Sequence, residues 1–320
     1  MRKSAILGLG GLAVIATAMG TTIADAREGS LREMLRQRIA ERRMGAGGRT
    51  QAPQAGRPQT ISYGADPLQV LDFWPAQTAG GATRTGAPLI VFVHGGGWKR
   101  GSKDNATGGW KQVHYPGLGY AYASINYRLV PQATVEQQGA DVAAALKALL
   151  DRAPQLGIDP RRVVLMGHSA GAHLVALVGT DEQYLRGAGL SFRDVAGVVP
   201  IDGAAYDVPR QIAEGGRFMQ DTYAQAFGTD PARQQALSPT LQAMAPNAPA
   251  FLLLHVQRQD GVAQAKQLEA ALRRGGTTVE RRDFPGQGLQ GHAEINRSLG
   301  DPAYAATPVV DTWLKQVFGA

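Results

Sequence analysis

The sequence contains no cysteine among its 320 residues. That absence excludes disulfides, thiolate metal sites, a cysteine nucleophile and a lipoprotein anchor. Charged residues are also few, at 18% against 44% hydrophobic residues, so the chain can bury a large core and is not disordered throughout. After residue 26, no apolar run is long enough to span a membrane. The length fits one large domain or two of ordinary size.

Positive charge exceeds negative charge, but the excess lies at one end of the chain. The sequence has 33 Lys and Arg against 26 Asp and Glu, a net charge of +7. Residues 1–57 hold 10 basic and 4 acidic side chains, whereas residues 58–320 hold 23 and 22. Nucleic-acid binding needs a basic surface on the folded domain. Because the larger part of the chain is close to neutral, we expect no nucleic-acid partner.

Residues 1–26 have the pattern of a secretory signal peptide. Arg2 and Lys3 precede an apolar stretch, and Ala24-Asp25-Ala26 offers a small-x-small cleavage site. An uncleaved membrane anchor is the alternative, but the stretch is short for the roughly 20 apolar residues that a span needs. We therefore expect cleavage and an exported, soluble protein, either periplasmic or extracellular.

Residues 27–58 predict a short basic amphipathic helix followed by a flexible linker. A capping box begins at Ser30, and Leu31, Leu35 and Ile39 recur every four residues among arginines. Glycines and prolines then dominate, which is a linker composition. This segment is either a contact for an anionic surface or partner, or a solvated spacer.

From residue 59 onward, strand and helix patterns alternate, which predicts an α/β domain with a mostly parallel sheet covered on both faces. The predicted strands are 69–73, 88–93, 120–127, 162–166, 195–200, 250–255 and 278–284. The predicted helices are 135–151, 170–179, 263–274 and 307–318. Residues from about 204 to 247 interrupt the alternation and predict a helical insertion near the active site. We interpret 59–320 as one catalytic domain.

The strongest motif is Gly167-His168-Ser169-Ala170-Gly171, which lies between a predicted buried strand and a predicted helix. A G-x-S-x-G motif in this context is typical of a sharp turn that exposes a nucleophilic serine. Small neighbours are needed there because larger side chains would collide. An ordinary glycine-rich turn is the alternative. We predict that Ser169 is a nucleophile.

A second motif, His94-Gly95-Gly96-Gly97-Trp98, directly follows another predicted buried strand. The backbone amides of glycines can approach a developing oxyanion closely, and each such donor stabilises it by about 3 kcal/mol. A phosphate-binding loop is the competing interpretation. It is disfavoured because no Gly-Lys-Ser/Thr follows.

Together these motifs resemble the α/β-hydrolase superfamily, in particular the esterase/lipase group with HGGG and G-x-S-A-G. That group is related to hormone-sensitive-lipase-like enzymes and arylformamidases. The resemblance covers residues 60–300, with the stretches LDFWP, PLIVFVHGGGWKRG, YASINYRLVPQATV, GIDPRRVVLMGHSAGAHL and GHAEIN. It implies a sheet of about eight strands flanked by helices, with a helical cap after strand 6. It also implies an oxyanion hole formed by the amides of Gly96, Gly97 and Ala170.

The catalytic histidine is predicted by elimination and by chain order, which in this fold runs serine, acid, histidine. His292 follows the last predicted strand in a glycine-rich loop. The other five histidines belong to the glycine loop, the serine turn, the helix after it, a buried strand, or a segment before the nucleophile: His94, His168, His173, His255 and His114.

The triad acid is predicted to be Asp260, which follows a strand and precedes His292. The family pattern resembles His-Gly-x-x-Asp-x-x-Val. Here the run from His255 lacks the glycine, and the aspartate comes one place late. Asp283, at the end of a later strand, is the alternative acid.

Three further residues are candidates for the substrate pocket: Trp98 beside the glycine loop, and Asp202 and Tyr206 after a predicted strand, where packing is an equal alternative. The sequence thus predicts a serine hydrolase of small-molecule carboxylic esters that works through an acyl-enzyme, without metal or organic cofactor. An arylformamidase-like amidase and an acetyl esterase acting on polysaccharide are the enzymatic alternatives. A catalytically silent binding module on this fold is the alternative outside the enzymes.

Overall fold

The computed structural model describes residues 52–78, 80–105 and 107–319. The predicted signal peptide at 1–26 and most of the predicted helix and linker at 27–58 lie outside the described residues. Residues 52–58 form neither helix nor strand, and the carbonyl of Gly56 accepts a hydrogen bond of 2.8 Å from Trp74 Nε1. None of the helices in the described part of the chain is long and apolar enough to cross a membrane.

Eight strands form a single sheet in the order β1-β2-β4-β3-β5-β6-β7-β8. They are β1 Gln59–Ser62, β2 Val70–Trp74, β3 Ala87–Val93, β4 Ala121–Ile125, β5 Ile158–His168, β6 Gly197–Ile201, β7 Ala250–Gln257 and β8 Thr278–Gln287. Strand β2 runs antiparallel to both of its neighbours, and every other pairing is parallel. The sheet is therefore mostly parallel, as the sequence predicts.

The central strands are buried on both faces. In β3, Leu89, Val91 and Val93 pack into one hydrophobic core, whereas Ile90 and Phe92 pack into the other. Side chains alternate between the faces of a strand, so a continuous apolar run fits only where helices cover both faces. Because strands β3 to β8 run parallel to one another, their carboxyl ends lie along one edge of the sheet, where the connecting loops carry the motifs.

Twelve helices surround the sheet within the described residues. They are α1 Lys111–Gly117, α2 Val135–Leu150, α3 Ala153–Leu156, α4 Ala170–Thr180, α5 Gln183–Gly187, α6 Val208–Glu214, α7 Arg217–Phe227, α8 Pro231–Ala236, α9 Pro239–Gln242, α10 Gln259–Arg274, α11 Gly288–Ser298 and α12 Ala306–Phe318. A single 3-10 turn at Phe192–Asp194 precedes β6. Helices α6 to α9 lie between β6 and β7, in the segment predicted to be a helical insertion.

All seven predicted strands are present, with shifted ends. Strand β1 was not predicted, because it is a four-residue edge strand with only one buried side chain, Ile61. Such a strand shows no apolar run and forms only where β2 offers it an edge. Strand β5 begins earlier than predicted, at Ile158, because its polar first half lacks the apolar pattern.

The packing of α4 against β3 leaves no space for a side chain at Gly171. A Cβ there would lie 2.1 Å from the carbonyl oxygen of Val93 and 2.5 Å from that of His94. We expect Gly171→Ala to lower the free energy of unfolding by about 3 kcal/mol, because the two backbone carbonyls that the added Cβ would meet cannot move aside. Chemical denaturation of the full chain measures this.

Gly187→Ala is the matched control, since Gly187 is exposed at the end of α5 and an added Cβ there meets nothing within 4 Å. It should leave stability unchanged or raise it by up to about 1 kcal/mol. Equal effects of the two substitutions would contradict the packing argument.

Candidate active site

Ser169 lies at the turn between β5 and α4. Its backbone has φ 56° and ψ −117°, a strained conformation for a residue with a side chain. The turn is tight because a Cβ at Gly167 would lie 2.3 Å from the carbonyl oxygen of Gly171. The serine is thus held at the carboxyl end of the sheet, immediately before the first turn of α4. The predicted sharp strand-to-helix turn is present.

The glycine loop after β3 lies directly against this turn. A Cβ at Gly95 would come within 3.0 Å of both Ser169 Cβ and the carbonyl oxygen of His168. Gly96 has φ 128°, and a Cβ on it would lie 2.0 Å from the carbonyl oxygen of Arg100. Only glycine permits this combination of backbone angle and close approach.

Three backbone amides in the glycine loop and the serine turn form no backbone hydrogen bond within the described residues. The N–H groups of Gly96, Gly97 and Ala170 donate to no backbone acceptor among the described residues. In contrast, the amide of Ser169 itself donates to the carbonyl of Ile201 at 3.0 Å. Ala170 is the first residue of α4, so its amide also carries the positive end of the helix dipole.

Trp98 was predicted to line the substrate pocket, but its side chain is only 1% exposed. Its Nε1 donates to His173 Nδ1 at 3.3 Å, and its ring lies edge-on to Phe227 with centroids 4.7 Å apart. His173 Nε2 in turn donates to the carbonyl of Leu237 at 2.8 Å. Trp98 therefore packs the glycine loop against α4 and the helical insertion.

The insertion also contacts the glycine loop from the outside. Thr222, in α7, has its Cγ2 atom 3.1 Å from where a Cβ of Gly97 would lie. Beside it, Lys99 Nζ donates to Gln225 Oε1 at 3.1 Å. Helix α7 thus contacts the glycine loop at two places.

His292 was predicted in a loop, but it lies in α11, whose residues 288–298 follow β8 directly. Its Nδ1 donates to Asp202 Oδ2 at 2.5 Å. This hydrogen bond fixes the tautomer, since the proton on Nδ1 leaves Nε2 with its lone pair. The sequence did not anticipate the pairing, because it placed Asp202 in the substrate pocket or in the core.

Asp202 lies at the end of β6, the neighbour of β5 in the sheet, and its side chain is fully buried. Its Oδ1 accepts from the amide of Val256 at 3.1 Å, and Arg258 Nε lies 3.2 Å from Oδ2. Burial by itself raises the pKa of this carboxyl. The hydrogen bond from His292 and the charge of Arg258 outweigh burial, so the pKa is lowered and Asp202 is ionised.

Asp260, the predicted partner of His292, lies elsewhere. It is in the first turn of α10, 41% exposed, with Oδ1 3.9 Å from Arg258 Nε and Oδ2 3.4 Å from Gln211 Nε2. The alternative, Asp283, is exposed on β8 and influences His255. Neither forms a hydrogen bond with His292. The carboxylate that does is Asp202, so the structure corrects the predicted pairing.

His168 contacts α11 at the residue that forms the triad hydrogen bond, His292. His168, next to Ser169, donates from Nε2 to the carbonyl of His292 at 2.9 Å, and the two rings are 4.4 Å apart. Burial, with the nearby His292, holds the pKa of His168 well below its usual 6.5, so it stays neutral. His168 therefore brings His292 alongside the turn that carries Ser169.

One helical turn further on, a buried lysine contacts the same helix. Lys111 Nζ donates to the backbone carbonyl of Asn296, to Asn296 Oδ1 at 3.0 Å and to the carbonyl of Thr107 at 2.5 Å. Burial lowers the pKa of Lys111 to about 7. An ammonium at this position also complements the negative end of the α11 dipole.

Tyr206, the third predicted pocket residue, is also buried, at 2% exposure. A Cβ on Gly203 would lie 2.1 Å from its hydroxyl oxygen, so the ring packs against the segment that follows Asp202. The part of the chain that the structure describes contains no group of three or more His, Cys, Asp or Glu side chains placed to hold a metal ion.

The fold brings together three features: the strained turn at Ser169, a histidine, His292, whose Nε2 carries a lone pair, and a buried carboxylate, Asp202, that is hydrogen-bonded to His292 Nδ1. Chain order contained a signal for the carboxylate: Asp202 lies between Ser169 and His292 and follows a predicted strand. Spacing along the chain could not choose among Asp202, Asp260 and Asp283, because all three satisfy that order.

The strand order, the serine turn after β5 and the helices between β6 and β7 define the α/β-hydrolase fold. Esterase B from Lactobacillus Rhamnosis (HN001) has a similar structure, with a TM-score of 0.70 and 22% identity over 91% of this chain and 93% of that one. Esterase 2 from Thermogutta terrifontis, phosphonylated by sarin, has a TM-score of 0.65 and 21% identity over 83% and 96% of the two chains.

Sequence comparison defines the family. The model of the BD-FAE family matches residues 79–272, more than half of the chain, so the chain belongs to the BD-FAE family. Esterase LipC from Mycobacterium tuberculosis is 30% identical over 227 residues, which are 67% of this chain and 54% of LipC. Carboxylesterase NlhH from the same organism is 30% identical over 136 residues, 42% of this chain and 41% of NlhH. The chain thus spans about half the length of these relatives.

The burial of His173 has a consequence for the stability of the protein in acid. Burial lowers the pKa of His173 to about 4 from its usual 6.5. Between these pH values the unfolded chain takes up a proton that the native imidazole does not, so stability falls as pH falls. Glutamine does not titrate. When the pH falls from 7.5 to 5, we therefore expect the free energy of unfolding of His173→Gln to fall by about 1–2 kcal/mol less than that of wild type.

Glutamine at this position retains an acceptor for Trp98 and a donor for Leu237, so the variant is expected to fold. Denaturant unfolding at the two pH values measures the difference. An identical loss of stability on acidification in both proteins would show that His173 is protonated normally.

Proposed function

We propose that this protein hydrolyses carboxylic esters by nucleophilic catalysis, with Ser169 as nucleophile, His292 as general base and acid, and Asp202 as the triad acid. The observation that carries the proposal is the 2.5 Å hydrogen bond between His292 Nδ1 and Asp202 Oδ2, beside the strained turn at Ser169. A buried carboxylate on Nδ1 directs the lone pair of Nε2 outward and stabilises the imidazolium that forms during proton transfer.

In the first half-reaction, the Ser169 oxygen attacks the acyl carbon while His292 Nε2 takes the hydroxyl proton. The tetrahedral intermediate collapses, the bond to the alcohol oxygen breaks, and His292 gives its proton to the leaving alcohol. Water then attacks the acyl-enzyme with His292 again as base, and the carboxylic acid leaves as Ser169 regains its proton. The net reaction consumes one ester and one water and yields one acid and one alcohol.

The negative charge of each tetrahedral intermediate needs donors that are already in place. The amides of Gly96, Gly97 and Ala170 are suited to this role because they make no backbone hydrogen bond within the described residues. Each such donor stabilises the intermediate by about 3 kcal/mol.

The comparisons support an ester as the substrate class. LipC and NlhH are an esterase and a carboxylesterase by name. A structural neighbour is an esterase phosphonylated by sarin, which is the behaviour expected of an enzyme with an activated nucleophile. A small-molecule ester is therefore the proposed substrate, and formyl anilides and acetylated polysaccharide are tested beside it.

The reaction is tested with short p-nitrophenyl esters on wild type and two site variants. Ser169→Ala should reduce hydrolysis to the background rate, because no acyl-enzyme can form. Asp202→Asn should reduce kcat/KM by about three to four orders of magnitude, because an amide favours the wrong imidazole tautomer. Asparagine tolerates the left-handed backbone of Asp202, at φ 44°, so this variant is expected to fold.

Asp260→Asn is the matched control, since it removes a carboxylate that does not contact His292. It should stay within about twofold of wild type, as expected for a partly exposed side chain. Hydrolysis that is equal in wild type and Ser169→Ala would refute the serine mechanism. A large loss in Asp260→Asn with none in Asp202→Asn would return the acid to Asp260.

Export also belongs to the proposal. The basic, apolar and small-residue regions of 1–26 support a cleaved signal peptide, and the basic segment 27–57 that follows suits weak contact with an anionic surface. N-terminal sequencing of protein secreted by a Gram-negative host should give Arg27 as the first residue. A chain that still begins at residue 1 or 2 would contradict the predicted cleavage.

A further inference from the structure

Arg258 lies against the same carboxylate oxygen that His292 contacts. It follows β7 directly, and its Nε is 3.2 Å from Asp202 Oδ2, while His292 Nδ1 is 2.5 Å from that oxygen. Its Nη2 donates to the carbonyl of Gly203 at 3.1 Å, and its side chain is 12% exposed. Asp202 therefore stands between an arginine and a histidine, both reaching one oxygen atom.

A cation in this position has an electrostatic effect on His292. Asp202 promotes the uptake of a proton by His292 because its negative charge stabilises the imidazolium. Arg258 offsets part of that charge at close range in a buried environment, where Coulomb interactions are weakly screened. It thereby opposes protonation of His292, while helping to keep Asp202 ionised in spite of its burial.

Other titratable groups from several elements lie around the triad. Among the described residues they include His168 from β5, Tyr206 after β6, Tyr223 from α7, His255 from β7, Asp260 from α10 and Tyr304 before α12, and Lys111 from α1 contacts α11. Burial raises the pKa of the tyrosines and lowers that of the two histidines, so these five are uncharged near neutral pH. Asp260 Oδ1 lies 3.9 Å from Arg258 Nε, and its side chain is 41% exposed, so solvent screens its interaction with the arginine.

We propose that Arg258 is a positioning residue of the triad, which orients the Asp202 carboxylate and, by its charge, keeps His292 unprotonated and able to act as a base at lower pH than the triad alone would allow. This proposal rests on the ester hydrolysis proposed above. The segment after β7 departs from the family pattern, and the proposal gives that segment a function: Arg258 lies beside Asp202, and Asp260 lies beside Arg258.

A purely structural role predicts something different. Arg258 also holds Gly203, next to the left-handed backbone of Asp202, so its loss could slow the reaction simply by loosening that segment. Such loosening lowers kcat at every pH. The electrostatic role instead moves the acid limb of the pH profile, because that limb reports the protonation of the essential base.

The experiment measures kcat/KM for a short p-nitrophenyl ester from pH 4.5 to 9 in wild type, Arg258→Lys and Arg258→Gln. Removing the charge in Arg258→Gln should move the midpoint of the acid limb upward by about one pH unit. Arg258→Lys, which keeps the charge, should stay close to wild type. Arg282→Gln is the control for loss of a positive charge, since Arg282 is exposed on β8 and pairs with Glu280; its acid limb should not move.

A second readout does not depend on turnover. In full-length protein labelled at histidine, the His292 imidazole resonance, assigned by its absence in His292→Asn, is titrated in wild type, Arg258→Lys and Arg258→Gln. The protonation midpoint should rise by about one pH unit in Arg258→Gln only. An unchanged midpoint in Arg258→Gln overturns the role of Arg258, whether or not esters are hydrolysed. A shifted midpoint without ester hydrolysis refutes only the proposed function.

Discussion

The contact between the serine turn and the glycine loop is the constraint on which the site depends. Gly171 lies so close to the carbonyl oxygens of Val93 and His94 that a Cβ on it would collide with both. This contact fixes where α4 begins, and it brings Gly95 against Ser169 in the same step. This packing interaction therefore helps to position both Ser169 and the glycine loop, and a larger residue than glycine at position 171 would disrupt it.

Around this contact, the fold places polar and charged groups in its interior and satisfies each from several elements. Asp202 receives donors from β7 and α11, while His168 and Lys111 contact α11 from β5 and α1. Buried polar groups are costly unless they are hydrogen-bonded, so such contacts hold their elements in one arrangement. His292 is thus supported at its ring, at its own carbonyl and one helical turn further along.

Much of this architecture could be predicted from local sequence. The apolar run from Pro88 to Val93 predicted a strand buried on both faces, and the GHSAG motif predicted the turn at Ser169. The polar edge strand β1 gave no such signal, since only Ile61 is buried in it. The segment that carries His292 was predicted as a loop because its glycines disfavour a helix, yet Gly288 to Ser298 forms α11 where β8 and Lys111 hold it.

The sequence by itself determined the fold class, the position of Ser169 and the glycine loop, because these depend on short motifs and on apolar periodicity that neighbouring residues carry. Only the tertiary structure decided which carboxylate contacts His292. Asp202, Asp260 and Asp283 all follow Ser169 and precede His292 in the chain, and no spacing rule separates them. The neighbouring positions of β6, β7 and β8 in the sheet bring Asp202 under the imidazole and leave Asp260 beside Arg258. The burial of Trp98 was likewise set by the tertiary structure, because the side chains that cover it come from α4 and α7, which are distant in sequence.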